Sequence, residues 1–197
     1  MITRRPTQAI ILAGGQGKRL LPYTTVLPKP LMPVGDRPIL EILVRQLAKF
    51  GIEKIILATG HLHHLLQAYF GNGESFGLEI RYSKEDEAMG TAGPLSLVSD
   101  DLEEHFLIMN GDLLTTLNFT RFFQAHIDES ADATIAVFRR TQKIDFGVLD
   151  IESDNSLGKY NEKPVYHFDV SMGINVLRRS AIQEIVKEPK YLDIPDL

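Results

Sequence analysis

LAGGQGKRL at residues 12–20 begins with the last residue of the short apolar run QAIIL at residues 8–12. Such a run is typical of a buried parallel strand, and ligands of open α/β sheets bind beyond the carboxyl ends of such strands. Three glycines in four positions let the backbone pass close to a ligand and turn its N–H groups toward phosphate oxygens. Lys18 and Arg19 add two positive charges. The stretch therefore predicts a triphosphate site at the end of the first strand.

Two common phosphate-binding loops do not match this spacing. A Walker loop has the pattern G-x-x-x-x-G-K-[ST], and a dinucleotide fingerprint needs a third small residue where Leu20 stands. An ordinary turn between strand and helix would explain the glycines alone. Lys29 favours a phosphate site, because Pro28 and Pro30 restrict its backbone on both sides and so direct its ammonium group.

Residues 14–31, GGQGKRLLPYTTVLPKPL, resemble the signature of the sugar-1-phosphate nucleotidyltransferases, also called nucleoside-diphosphate-sugar pyrophosphorylases. That signature runs close to G-G-x-G-x-R-L-x-P-x-T-x-x-x-P-K-P-L. The resemblance implies that Arg19 and Lys29 are catalytic cations. It also implies a nucleotide-binding role for Leu12, Ala13, Gly14, Gly15, Gly17 and Lys18.

The order of predicted elements favours an α/β fold. We predict strands at residues 8–12, 54–59, 78–82 and 106–109, and helices at 38–50, 61–70 and 93–99. This alternation is typical of βαβ units and predicts a mostly parallel sheet. Further strands at 133–138, 147–151 and 171–177 follow closely on one another, so the sheet is expected to be mixed, and a last helix is predicted at 179–186. Together with the resemblance, this indicates a three-layer α/β/α, Rossmann-like nucleotidyltransferase fold.

Composition excludes several classes of protein. The 197 residues, 44% hydrophobic and 24% charged, suffice for one substantial α/β domain and are too few for two of ordinary size. A net charge of -5 gives no basic footprint for nucleic acid. The absence of cysteine excludes disulfides, thiolate zinc sites and a cysteine nucleophile. Without a run of membrane-spanning length or a signal-peptide core, the expected location is the cytoplasm, with no membrane partner.

Asn110-Gly111-Asp112 ends the strand predicted at 106–109. An aspartate after glycine can bind Mg²⁺ or merely cap a turn, and the turn is the commoner case. Magnesium uses one or two carboxylates together with phosphate oxygens and water, so one aspartate opposite a triphosphate is sufficient to begin a site. The resemblance, in which Gly-Asp occupies this place, favours Mg²⁺ bound by Asp112.

Residues 83–95, SKEDEAMGTAGPL, form a second informative block, although an acidic surface loop before a helix would also explain them. Guanine presents two adjacent donors that one carboxylate can accept, whereas uracil and thymine present a donor and an acceptor. In the family the base-reading residue lies a few positions before the glycine matching Gly90, a place occupied here by Glu85. The loop is most similar to that of mannose-1-phosphate guanylyltransferases. We therefore predict GTP as the donor, bound by Glu85, Gly90 and Thr91, with Glu87 as an alternative to Glu85.

The prediction of sugar-binding residues depends on two shorter resemblances to the family. Gly147 stands where the family has its sugar-binding glycine, and residues 162–164 match its E-K-P motif. The resemblance implies that Glu162 binds sugar hydroxyls and Lys163 reaches the phosphate; a surface ion pair is the alternative. Ser171 is expected at the same site, but guanylyltransferases for mannose often carry asparagine there, so the sugar remains open.

The chemistry of the reactants predicts the mechanism. A sugar phosphate is already anionic at neutral pH, so no general base has to create the nucleophile. The task is to bring two polyanions together, which positioning and the charges of Mg²⁺, Lys29 and Arg19 would achieve. Arg19 would stabilise the leaving pyrophosphate, and Lys29 would draw the sugar phosphate toward the α-phosphorus.

Three histidines, His61, His63 and His64, lie within four residues at a helix start. They cannot all share one face of the helix, and metal sites need converging ligands. We therefore expect solvated histidines at a helix end rather than a metal site.

The end of the chain departs from the family pattern. Family members generally continue to a second metal-binding aspartate, and Asp193 and Asp196 do not match its context. We therefore expect a single nucleotidyltransferase domain over residues 1–197, truncated at its C-terminus. The alternatives are a catalytically silent regulatory subunit that binds a nucleotide sugar, and a transferase that uses UTP, dTTP or CTP or a non-sugar phosphate acceptor. A homo-oligomer is compatible with the sequence.

Overall fold

The computed structural model describes residues 5–197. By contacts between Cα atoms these residues divide into two compact units. The first unit runs to Thr134 and resumes from Gly173 to Leu197, and the second is Ile135–Met172.

The strands predicted at residues 8–12, 54–59, 78–82 and 106–109 and the helices predicted at 38–50 and 61–70 are present. In order, the elements are β1 (Gln8–Ala13), β2 (Pro33–Val34), β3 (Arg37–Pro38), α1 (Ile39–Lys49), β4 (Lys54–Thr59), α2 (His63–Phe70), β5 (Glu79–Lys84), β6 (His105–Asn110), α3 (Phe119–Asp128), β7 (Ala133–Lys143), β8 (Val148–Ile151), β9 (Leu157–Asn161), β10 (Val165–Arg178) and α4 (Arg179–Ile182). Segments of 3-10 helix occur at Lys18–Leu20, Tyr23–Thr25, Lys29–Leu31, Glu74–Phe76, Gly93–Asp101 and Ile194–Asp196.

Parallel strands form the centre of the first unit. The order there is β5-β4-β1-β6-β10, in which β1 runs parallel to β4 and β6, β4 runs parallel to β5, and β10 is antiparallel to β6. Leu12 of β1 lies opposite Ala58 on one side and Asn110 on the other. This register brings the carboxyl ends of β1, β4 and β6 to one edge, and the predicted mostly parallel, mixed sheet is confirmed.

Both faces of this sheet are covered. One face packs the strand residues Ile10, Ile56, Phe106, Ile108 and Leu177 against Leu95, Leu102, Ile182 and Val186. The alternate strand positions, Ile11, Ile55, Leu57, Leu107 and Met109, are also fully buried. Because successive residues of a strand point to opposite faces, burial at every position requires a layer on each side. Helices α1, α2 and α3 supply further buried side chains, among them Leu43, Leu66 and Phe119.

The second unit consists of β-structure. In it β7 lies beside β10, and the side chains of Arg139 and Asp169 join the two strands through bonds of 3.0 and 3.1 Å. Strands β8 and β9 form a separate antiparallel hairpin with a register shift at Asp150 and Ile151.

Two predicted helices have a different form. Residues 93–101 form a 3-10 helix, in which Pro94 lacks an N–H group and the Ser96 hydroxyl donates to the carbonyl of Gly93 at 2.7 Å. The last helix ends at Ile182 rather than at residue 186. Its continuation consists of single turns, such as the bond from the N–H of Val186 to the carbonyl of Ile182 at 3.0 Å.

Helix α3 and strands β2, β3 and β9 were not predicted. The signal for α3 was nonetheless present, since the Asn118 side chain accepts the N–H of Arg121 at 2.9 Å as an N-cap. Phe119, Phe123 and His126 then follow at helical spacing and are buried.

Within residues 5–197, every helix is too short or too polar to traverse a lipid bilayer.

Candidate functional site

A cavity of about 890 Å³ lies in the first unit at the carboxyl ends of the parallel strands. Six stretches of chain line it: residues 12–20, Lys29 with Pro30, Gly60 with His61, residues 84–91, Asn110 with Asp112, and Tyr191 with Asp193. The glycine loop, the lysine between prolines, the acidic block and Asp112 thus share one cavity, although they are distant in sequence.

The glycine loop is shaped by close approaches of the backbone. A Cβ atom added to Gly14 would lie 2.7 Å from Oε1 of Glu85. Gly17 has a left-handed conformation with φ of 62°, and its carbonyl accepts the N–H of Leu20 at 2.8 Å and the hydroxyl of Thr24 at 3.0 Å. The left-handed backbone of Gly17 favours glycine there, and a side chain at position 14 would displace the Glu85 carboxylate.

The three cations predicted for phosphate binding all line the cavity. Lys18 and Arg19 are exposed residues of the 3-10 turn that follows the glycine loop. Lys29 begins the third 3-10 turn, in which the N–H of Leu31 donates to the carbonyl of Pro28 at 2.8 Å and Pro30 is buried. The stiff attachment predicted for Lys29 thus has a structural basis in the turn and the buried proline.

The ammonium group of Lys29 forms a direct ion pair with Oδ2 of Asp112. Asp112 follows Gly111, whose N–H donates to the carbonyl of Leu12 at 2.9 Å and whose position leaves little room for a side chain. The end of β6 is thereby tied to the end of β1, which carries the carboxylate into the cavity.

The donor set around Asp112 is sparse. Among residues 5–197, no group of three or more His, Cys, Asp or Glu side chains converges as a metal site. A carboxylate beside an open cavity fits a cation such as Mg²⁺, which takes most of its ligands from phosphate oxygens and water. It does not fit a metal enclosed by protein ligands alone.

Glu85 is held in place by the strand end before it. Its N–H donates to the carbonyl of Thr59 at 2.8 Å, and its Oε2 accepts the N–H of Met89 at 3.1 Å. Burial raises the pKa of the Glu85 carboxyl, an effect that the N–H of Met89 partly opposes. Glu87 also lines the cavity but is exposed.

Gly90 and Thr91 line the same wall of the cavity. The N–H and the hydroxyl of Thr91 donate to Oδ1 of Asp193 at 2.9 and 3.1 Å. Both polar donors of Thr91 are therefore bonded to Asp193, and Met89 and Gly90 form the rest of this wall.

Several lining residues were not predicted, notably His61, Lys84, Tyr191 and Asp193. His61 and Lys84 could have been found, because they stand at the ends of the strands predicted at 54–59 and 78–82. Tyr191 and Asp193 carry no comparable signal.

His63 corrects one expectation. It is partly buried, with Nδ1 lying 2.8 Å from Oγ1 of Thr59 and its ring edge-on to Tyr82 at 5.7 Å. Leu62, which has a left-handed backbone, immediately precedes the helix that begins at His63. His61 and His64 are exposed.

The four residues predicted for sugar binding, Gly147, Glu162, Lys163 and Ser171, lie in the second unit. Gly147 is packed close to Glu162, since an added Cβ would lie 3.1 Å from Oε2 of Glu162. That oxygen accepts the hydroxyl of Tyr160 at 2.9 Å. Lys163 has a left-handed backbone with φ of 46°, and Ser171 is exposed in β10.

Comparison with known proteins gives one family. The profile of the nucleotidyl transferase family matches residues 8–194. The chain is 34% identical over 179 residues to a D-glycero-alpha-D-manno-heptose 1-phosphate guanylyltransferase of Aneurinibacillus thermoaerophilus, covering 89% of this chain and 76% of that protein. It is 32% identical over 156 residues to a mannose-1-phosphate guanylyltransferase of Mycobacterium tuberculosis, covering 79% of this chain and 44% of the relative. The chain thus spans less than half the length of the second relative.

Among solved structures, the crystal structure of HddC from Yersinia pseudotuberculosis has a TM-score of 0.72 with 24% sequence identity. The match covers 97% of this chain and 86% of HddC. At this identity the likeness shows the fold.

Proposed function

This chain belongs to the nucleotidyl transferase family, and on that premise we propose that it transfers a nucleoside monophosphate from a nucleoside triphosphate to a sugar 1-phosphate. The products are a nucleotide sugar and pyrophosphate. The observation that carries the proposal is the single cavity that brings together the glycine loop, Lys29, Glu85 and Asp112.

The glycine loop and its cations bind the triphosphate. The backbone of residues 12–17 lines the cavity where N–H groups can meet phosphate oxygens. Lys18 and Arg19 add charge at the same edge, and Arg19 stabilises the departing pyrophosphate together with the transition state. This role needs no covalent intermediate, because the sugar phosphate itself attacks the α-phosphorus.

Lys29 attracts and orients the sugar phosphate. Nucleotidyl transferases generally use a divalent metal, and we assign Mg²⁺ to this chain, with Asp112 as the residue that would hold it. When bound, the ion supplies positive charge to the phosphates. The ion pair supports this assignment, since Lys29 and Asp112 are close enough to act on the same phosphate group.

The donor nucleotide is GTP, and Glu85 reads its base. A carboxylate can accept both guanine donors on the Watson–Crick edge. Glu85 is favoured over Glu87 because its N–H is bonded to the carbonyl of Thr59 and its carboxylate to the N–H of Met89. Glu87, in contrast, is exposed. The two relatives compared above are guanylyltransferases of sugar phosphates, which supports the same base.

The remaining assignments follow the resemblance. Gly147, Glu162, Lys163 and Ser171 bind the sugar 1-phosphate, and residues 1–197 act as one nucleotidyltransferase domain. The net charge of -5 supports small phosphorylated substrates rather than nucleic acid as partners. A cytoplasmic location, and a homo-oligomer as the working form, complete the proposal.

Pyrophosphate release tests the proposal directly. The assay crosses GTP, UTP, dTTP, CTP and ATP against the 1-phosphates of mannose, glucose and D-glycero-D-manno-heptose in the presence of Mg²⁺. We expect GTP-preferring turnover that Lys29→Ala abolishes and that Lys187→Ala, which removes an exposed lysine paired with Glu184, leaves intact. Nucleotide binding without turnover for every pair would contradict the transferase and favour a nucleotide-sugar-binding regulatory subunit.

A further inference from the structure

Residues 191–194 lie directly against the loop at residues 89–93 within the first unit. The N–H of Leu192 donates to the carbonyl of Met89 at 3.0 Å. The carbonyl of Leu192 accepts the N–H groups of Ala92 and Gly93 at 2.8 and 3.0 Å. Three backbone hydrogen bonds therefore join the two segments.

The Asp193 side chain closes this contact. Its Oδ1 accepts both the N–H and the hydroxyl of Thr91, at 2.9 and 3.1 Å, and its Oδ2 accepts the hydroxyl of Tyr191 at 3.1 Å. The oxygen of the Thr91 hydroxyl in turn accepts the N–H of Ile194 at 2.8 Å. Hydrogen bonds from Thr91 and Tyr191, led by the backbone N–H of Thr91, lower the pKa of the Asp193 carboxyl. Asp193 is therefore an ionised acceptor with both oxygens engaged.

Gly90 permits the close packing. Its φ is 78°, and an added Cβ would lie 2.5 Å from the carbonyl oxygen of Leu192 and 2.9 Å from Oδ1 of Asp193. The glycine that was predicted to contact the nucleotide thus also serves to admit residues 192 and 193.

Met89 connects this contact to the base-reading carboxylate. Its carbonyl is held by Leu192, and its own N–H donates to Oε2 of Glu85 at 3.1 Å. A displacement of the loop at Thr91 would move Met89 and remove the hydrogen bond that orients Glu85.

We propose that Asp193 is a positioning residue for nucleotide specificity: through Thr91 and Met89 it holds Glu85 in the orientation that selects guanine. This inference rests on the proposed function, because it assumes that Glu85 reads the base. It differs from a metal-binding role for Asp193, since the carboxylate is already occupied by hydrogen bonds from Thr91 and Tyr191.

The first test compares Asp193→Asn with the wild type. The amide keeps the shape of the side chain but offers one acceptor oxygen and no charge. We expect the ratio of kcat/KM for GTP over UTP to fall about tenfold, as is typical when a charge-assisted hydrogen bond is weakened. Affinity for inorganic tripolyphosphate, which has no base, should be unchanged. Asp196→Asn is the matched control, because Asp196 is exposed and does not line the cavity.

A second pair of variants guards against a simple loss of folding. Thr91→Val removes the hydroxyl group and should lower the ratio of kcat/KM for GTP over UTP. Thr91→Ser retains the hydroxyl group and should therefore show the wild-type preference. The double variant Thr91→Val with Asp193→Asn should have a GTP-over-UTP ratio no lower than that of the more impaired single variant, because both substitutions weaken the same contact.

Three results would overturn the inference. Retained GTP preference in Asp193→Asn would remove the role of Asp193 while leaving the proposed function intact. Equal loss of tripolyphosphate and GTP binding would indicate a merely structural role. A wild-type protein that does not distinguish GTP from UTP would overturn the inference together with the assignment of GTP.

Discussion

The ammonium of Lys29 and the carboxylate of Asp112 are direct partners inside the cavity of the first unit. Their side chains are 37% and 28% exposed, so water screens the pair and its contribution is on the order of 1 kcal/mol or less. A metal ion at Asp112 must compete with this lysine. If Asp112 held such an ion, the Lys29 ammonium would lose this partner and would be free to bind a phosphate.

Removing the ammonium should strengthen metal binding. We expect Lys29→Met to raise the affinity for Mn²⁺, used as a spectroscopic substitute for Mg²⁺, by roughly two- to fivefold in the absence of nucleotide. Electron paramagnetic resonance of free Mn²⁺ measures this without turnover. Lys18→Met removes a neighbouring charge outside the ion pair and should have a smaller effect. An unchanged affinity in Lys29→Met would show that Asp112 does not bind the ion.

A methyl group at Gly14 should disturb base selection. In Gly14→Ala the new Cβ would lie 2.7 Å from Oε1 of Glu85, so the carboxylate must move. We expect the preference for GTP over UTP to fall about tenfold, because a shift of this kind misplaces a binding group. Gly15→Ala is the matched control, since nothing lies within 4 Å of its added Cβ, and its preference should stay within about twofold. An equal preference for GTP over UTP in the two variants would argue against Glu85 as the residue that recognises the base.

GTP affinity should depend on pH through Glu85. Burial raises the pKa of this carboxyl, so protonation begins at a higher pH than for an ordinary glutamate. Only the ionised form accepts two guanine donors, and affinity is therefore lost as the pH falls through the raised pKa. Calorimetry of GTP binding across the acidic range measures the loss. Glu87→Gln should retain this dependence, and Glu85→Gln should abolish it while weakening GTP binding by about tenfold or more.

His126 should make folding sensitive to acid. It is fully buried, with its two ring nitrogens 2.8 Å from Oγ1 of Thr134 and 3.0 Å from Nδ1 of His105. Burial, and to a lesser extent the charges of His105 and Arg178, lower its pKa, with Asp132 acting in the opposite direction. The unfolded chain therefore binds a proton in a pH range where the folded chain does not. Its stabilising contribution is present above the ordinary histidine pKa of 6.5 and is lost as the pH falls below it.

Denaturant unfolding at several pH values checks this expectation. The free energy of unfolding of the wild type should fall between neutral and mildly acidic pH, and His126→Gln should flatten that dependence. His64→Gln, at an exposed histidine of α2, should leave the slope unchanged. The same slope in all three proteins would contradict a buried neutral His126.

The sequence was most informative where local chemistry demands particular residues. The glycines before Lys18, the prolines around Lys29 and the strand-ending Asp112 could be assembled into one cavity, because the carboxyl ends of parallel strands share an edge. Glu85 was predicted from its distance to Gly90 and lines the same cavity, with its carboxylate bonded to the N–H of Met89. Its role in reading the base stays a prediction.

Other features depend on tertiary contacts that leave no local pattern. Asp193 reaches Thr91 across 102 residues, and the bonds beside it are made by backbone groups that any residue could supply. The segment predicted as a helix at residues 93–99 is a 3-10 helix, in which the Ser96 hydroxyl donates to the carbonyl of Gly93, and nothing in the sequence pattern distinguished the two helix types. The side chain of His63 is partly buried because it contacts Thr59 and Tyr82. The cluster of three histidines in the sequence had predicted that it would be solvated.

The contact between residues 191–194 and the loop at 89–93 has a consequence for stability. The two segments are about a hundred residues apart in the chain, so their contact carries a larger loop-closure entropy cost than a local contact does. A nucleotide that binds only when this contact is formed would add its binding free energy to the folded state by mass action, and so would offset part of that cost.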